Sequence, residues 1–470
     1  MDINELSNSL SAILGQFTPS NLGSRLFMER EEIETPQNFL IWFHERFHYL
    51  QVIFTPYGHL KWGAYRTFAS DIVECWIGLS KELNLQKKIP INEYWLDDTK
   101  DSIKVACNVL IYDLMNDIYK IVEQGSTTHN IFSVFKSFDQ STCCPIINLN
   151  GKDYNLRGVD ILESFAKFEE AMLGELITNQ TIDEIIDPNI LTPEYYVALY
   201  FFIEKLGPER LVEFPVVCEL SLSTPNIPSP SSKENFCKNA PNWRFVKIIE
   251  TIKNAEDLPI IDFNNDSSFY EYSNAVLRLC GYETFDEVWY GAEKYAKQSD
   301  LTMAKEMASA IEYKKKHPWM LSYPMVNQEE FFSYTFNRFV PYFTILDDGV
   351  SYNCETIKSE ELVFENHLQA FAQQICGYKS KYCQDSFKLM CGYTYMGLKV
   401  CPHYISGECD GHIDQHTQLP KLILDSKSNI KKGCTFEIFL KSIGVELKEL
   451  NIGNMTMVTY EEITNKVKDI

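Results

Sequence analysis

The chain has no run approaching the roughly 18 apolar residues of a membrane span. Its start, MDINELSNSLSAILGQF, lacks the positively charged n-region and long apolar core of a secretory signal. Positive charge is scarce: 43 Lys and Arg stand against 65 Asp and Glu, a formal net charge of -22. With no basic stripe to release counterions, a nucleic-acid backbone is excluded as a direct partner, and the acidic surface is read as a device for solubility. There is no P-loop, no dinucleotide-binding glycine fingerprint and no Gly-x-Ser-x-Gly elbow, which removes the commonest nucleotide-dependent and serine-hydrolase chemistries. The 14 cysteines include no Cys-x-x-Cys pair and are expected to be reduced thiols in the cytoplasm, some of them available to metal. No internal repeat recurs at a fixed period.

What is present is ordinary globular material: 470 residues, 45% of them hydrophobic, enough for two or three domains or one catalytic body with insertions. The patterning predicts a mainly α chain with minor β. Residues 1–34 read as an irregular or short-strand lead-in, and Asn150-Gly151 as a turn after a short extended piece. Apolar residues at helical spacing predict helices near 36–54, 60–85, 100–124, 158–175, 241–255, 267–280, 284–297, 300–316 and 359–377, with two apolar segments at 195–206 and 211–222. The Pro- and Ser-rich stretch after Leu222 is the best boundary. The expected organisation is a catalytic domain over 1–222, a linker or loop over 223–240, and a helical C-terminal domain over 241–470 with a Cys/His-rich segment at 376–416.

Within the 36–54 segment lies His44-Glu45-Arg46-Phe47-His48. Thr35-Pro36 supplies a cap residue and a proline at the first helical position, and Thr55-Pro56-Tyr57-Gly58 stops the run. Residues i and i+4 lie one above the other on a helix, so both imidazoles face one side and suit two ligands of a catalytic Zn2+. Glu45 projects beside them, where it would take a proton from a metal-bound water. The motif arises by chance about once in a hundred chains of this composition. Arg46 must reach solvent or pair with an acid such as Glu170.

The helix beginning near Gly158 carries Glu163 beside its apolar stripe of Ile161, Leu162, Phe165, Phe168 and Met172. A lone buried carboxylate is costly without a partner such as a metal, so Glu163 is the expected third ligand. Glu170, two turns on, would orient a ligating histidine or face solvent, and Glu169 and Glu170 stand as substitutes for Glu163. His44-Glu45-Arg46-Phe47-His48 together with Glu163-Ser164-Phe165-Ala166 resembles the zincin metallopeptidases, specifically the gluzincins, in which a glutamate on a second helix completes the site. The resemblance implies zinc on His44, His48 and Glu163, Glu45 as general base, a zincin-like helical core, and a peptide or protein as substrate. A cytoplasmic protease also needs restraint, which points to a narrow substrate, a lid or a regulatory protein partner.

An oxyanion stabiliser is needed as well, with Tyr49, Tyr57, His59 and His367 in view, although 26 tyrosines leave the choice open. Near the C-terminus Cys391, Cys401, Cys409 and His412 form a Cys3His set for a structural zinc, with unligated cysteines as the competing reading. A di-iron site would need a second Glu-x-x-His, which the chain lacks. The other class in play is a non-catalytic helical interaction protein with a structural metal site or none. The aromatic stretch Phe331, Phe332, Tyr334, Phe336, Phe339, Tyr342 and Phe343 would serve that role or a core equally.

Overall fold

A computed structural model describes residues 15–18, 23–63, 66, 144–178, 180–225, 233–263, 265–298, 302–326, 328–341, 343–346, 349–352 and 368. Met1–Trp62, Asn108–Lys120 and Phe135–Asp348 gather into one compact unit, and Gly63–Cys107, Ile121–Val134 and Gly349–Ile470 into another. Of the second, only Gly63, Arg66, the strand Gly349–Tyr352 and Leu368 are described. The expected helices at 100–124 and 359–377, most of that at 60–85, and the segment 376–416 therefore lie outside the described residues, apart from Leu368. The architecture is mainly helical with minor β. No helix among the described residues is long and apolar enough to cross a membrane.

The motif helix spans Pro36–Phe54, as its boundary residues dictate. Thr35 has extended backbone and its side chain accepts from the Asn38 amide at 3.4 Å, while Pro36 occupies a position whose N–H would be orphaned anyway. The helix stops at Thr55, whose hydroxyl donates to the Gln51 carbonyl at 2.6 Å and accepts from the Gly58 amide at 3.1 Å. Residues 56–63 then resume as helix, so Tyr57-Gly58 opens a new helical turn instead of a loop. A Cβ at Gly58 would sit 2.3 Å from the Val52 carbonyl oxygen, which leaves room only for glycine at this reversal.

Burial holds the motif helix on nearly every side. Phe43, Phe47, Tyr49, Leu50, Ile53 and Phe54 are fully buried, each contributing about 1.5–3 kcal/mol relative to exposure. Part of the cover is the π-helical turn Phe331–Phe336: Phe43 stacks on Phe336 at 5.7 Å and Trp42 meets it edge-on at 5.2 Å. Phe331, Phe336 and Phe339 are thus core residues, whereas Tyr334 is exposed.

The glutamate helix, Gly158–Thr178, lies against the motif helix. It is preceded by a hairpin of β3 (Ile146–Leu149) and β4 (Lys152–Asn155), whose Asn150-Gly151 turn has φ of 52° and 80°, the left-handed pair that a two-residue hairpin requires. Asp160 accepts from the Arg157 amide at 2.6 Å, satisfying a donor at the helix start. Helices Val197–Leu206, Phe214–Leu222, Pro241–Asn254, Asp266–Cys280, Phe285–Gln298 and Thr302–Lys316 belong to the same unit. Lys233–Asn239, inside the expected linker, is also helical. Buried Arg244 donates to the carbonyls of Leu220, Ser221 and Ser223, so the guanidinium caps the end of Phe214–Leu222 from the helix beyond that segment.

The lead-in forms two strands, β1 (Gly15–Thr18) and β2 (Gly23–Leu26), paired antiparallel. β2 also pairs in parallel with β5 (Phe343–Leu346), and Ser24 and Thr344 hydroxyls meet at 3.0 Å. That leaves β1 at the sheet edge, against the motif helix.

Candidate metal centre

The helical spacing places the His44 and His48 rings 4.7 Å apart at 85° on the side facing the glutamate helix. His44 Nε2 lies 3.1 Å from His48 Nε2, and Glu163 Oε2 lies 3.1 Å from the first and 3.2 Å from the second. Three donor atoms therefore form a nearly equilateral triangle. Donors on a tetrahedral zinc with bonds of about 2.0–2.2 Å sit about 3.3–3.6 Å apart, so the triangle is slightly tighter than one face of such a site. The set of two imidazoles and one carboxylate could hold a metal ion, and its nitrogen and oxygen donors fit zinc. Among the described residues this is the one grouping of its kind. The Glu163 and His48 side chains keep 22% and 12% of their exposure, so the triangle is reachable from solvent.

Glu170 sits behind the site, not at it. Its Oε2 forms an ion pair with His44 Nδ1 at 3.0 Å, and its Oε1 accepts from Lys167 at 2.6 Å. It is buried, so the solvent-facing alternative is removed. Glu169 points elsewhere: it is buried, one oxygen has no hydrogen-bond partner, and burial pushes its carboxyl well above the usual range. Neither is a substitute for Glu163.

The charges are strongly coupled. Burial alone would lower the His44 pKa, but hydrogen bonds and charge from Glu163 and Glu170 outweigh it and push it up to about 10. For Glu163 burial acts upward, and the two histidines overcome it to hold the carboxyl well below its ordinary value. Burial raises the Glu45 carboxyl, against the opposing pull of His44 and His48. A carboxylate poised above its usual pKa is a better proton acceptor near neutrality.

β1 adjoins that carboxylate: a Cβ on Gly15 would lie 2.6 Å from Glu45 Cγ and 2.7 Å from Oε1. Arg46 is buried and, among the described residues, pairs with no acid. Its Nε and one Nη have no hydrogen-bond partner, and its guanidinium lies 3.9 Å from the Phe336 ring centre and 5.1 Å from that of Trp42. Burial lowers its pKa to about 9, and the aromatic faces supply the attraction that an acid was expected to give.

Of the expected oxyanion groups, the three among the described residues are buried. Tyr49 donates to Glu306, His59 Nε2 bonds the Ile53 carbonyl at 2.7 Å, and Tyr57 is 2% exposed. His367, Cys391, Cys401, Cys409 and His412 lie outside the described residues. Instead Tyr195 stands with its ring 5.7 Å from that of His44. It ends the short turn Pro193–Tyr195, which Ser164 pins to the glutamate helix by donating to the Glu194 carbonyl at 3.0 Å. Its hydroxyl has no hydrogen-bond partner among the described residues. Burial first, then the charges of Glu163, Glu45, Glu194 and Glu170, raise its pKa and keep the phenol protonated. Compared with protein-family models, curated proteins and solved structures, the chain matches none of them.

Proposed function

We propose that this protein is a zinc-dependent metallohydrolase of the zincin type, a peptidase in which Glu45 is the general base. The observation that carries the proposal is the triangle of His44 Nε2, His48 Nε2 and Glu163 Oε2, with edges of 3.1–3.2 Å, beside a buried glutamate of raised pKa. Zinc held there would lower the pKa of a coordinated water to about 7 and polarise a carbonyl. Glu45 accepts the proton given up by the attacking water and returns it to the leaving amine. Tyr195, held protonated, donates a hydrogen bond to the oxygen on which negative charge develops.

A peptide suits the surroundings of Glu45. Among the described residues β1 is an edge strand beside that carboxylate, and an extended peptide would suit pairing along it. Thiols at Cys218 and Cys280 suit a reducing cytoplasm as the place of action. The test is elemental and kinetic together. Wild type is expected to carry zinc that a His44→Ala, His48→Ala double variant loses, and Glu45→Gln is expected to keep zinc while peptide hydrolysis disappears. A wild type unable to bind zinc would end the proposal, as would full hydrolysis by Glu45→Gln.

A further inference from the structure

His48 has a second nitrogen, and its environment differs from that of His44. Nδ1 lies 2.8 Å from Gln51 Oε1, and the other end of the same amide, Nε2, lies 3.0 Å from the Leu162 carbonyl. A carbonyl oxygen only accepts, so the Leu162 contact fixes which end of the amide is the NH2 group. Oε1 must then face His48 and can only accept, which puts the ring proton on Nδ1 and the lone pair on Nε2, the vertex of the donor triangle. Gln51 is 2% exposed, so water does not compete for either contact. Its anchor, Leu162, immediately precedes Glu163 in the chain.

From this geometry we infer that Gln51 is a positioning residue of the metal centre: it holds His48 in its metal-binding tautomer and locks that ring in register with the backbone bearing Glu163. This role rests on the zinc reading above. The two histidines are then held unequally. His44 has the Glu170 carboxylate behind it, itself held by Lys167, while His48 has a neutral amide that grips both helices at once. A side chain three residues beyond the second histidine thereby sets both ring orientation and helix spacing.

The test uses the full chain and measures zinc affinity by competition with a chromophoric chelator. Gln51→Met keeps the bulk and removes both hydrogen bonds, and it is expected to weaken zinc binding about 10–100-fold. Gln51→Glu still accepts from Nδ1 but turns an acceptor oxygen toward the Leu162 carbonyl, so it is expected to bind zinc more tightly than Gln51→Met and less tightly than wild type. A merely structural role would weaken both alike. A loss of less than about tenfold in Gln51→Met, or a Gln51→Glu no tighter than it, overturns the inference. Should Gln51→Met not fold, Gln51→Glu alone decides: affinity within about tenfold of wild type supports the role, and a larger loss overturns it. Failure of the wild type to bind zinc removes the metal centre and this role together, whereas a zinc-binding wild type with indifferent Gln51 variants removes only the latter.

Discussion

At residue scale the proposed hydrolysis turns on Tyr195 as its donor. Its ring is edge-on to His44, and its hydroxyl is kept protonated by burial and by four surrounding carboxylates. Tyr195→Phe is expected to lower kcat of peptide hydrolysis about 100–1000-fold, the effect of removing one oxyanion donor, with zinc affinity unchanged. Steady-state kinetics and the chelator titration separate the two. Nothing local in the sequence marks this tyrosine among 26, because its position depends on Ser164 gripping the Glu194 carbonyl 30 residues away. His44 and His48 are a different case: four-residue spacing on a capped helix is enough to bring their rings together. Arg46 misleads a sequence reading because rings brought in from residue 336, not an acid, surround the guanidinium.

At the scale of elements, β1 and the motif helix approach as closely as a missing side chain allows. Gly15 leaves the space that the Glu45 carboxylate fills. Gly15→Ala is expected to push that carboxylate aside and cost about 100-fold in kcat, as misplacement of a reacting group by about 1 Å does, while zinc stays bound. Activity close to wild type would show that the strand does not set the position of Glu45. Helices were the legible elements. The proline and threonine ahead of Phe39 and the threonine after Phe54 mark the motif helix to the residue, since caps are local chemistry. Strand pairing was not legible: β2 finds β5 about 320 positions away, and a four-residue strand has too short a pattern to announce a parallel partner.

For the whole molecule, an acid limb of stability is written into His59. Burial lowers its pKa to about 4 from 6.5, so the folded state keeps this ring neutral while the unfolded chain protonates it. Stability from this source is complete above pH 6.5 and is lost as pH falls through about 4. The loss is on the order of 3 kcal/mol. Urea denaturation of wild type and His59→Gln at pH 7, 5.5 and 4 checks it, with a flatter dependence expected for the variant. The π-turn at Phe331–Phe336 has a further consequence, in the time domain of synthesis. The motif helix leaves the ribosome before the aromatic residues that cover Trp42 and Phe43, which follow about 290 residues later, a wait of about 15–60 s at 5–20 residues per second. Throughout that interval Trp42 and Phe43 lack the aromatic cover of the folded chain, which makes this stretch a natural client of a holding chaperone during translation.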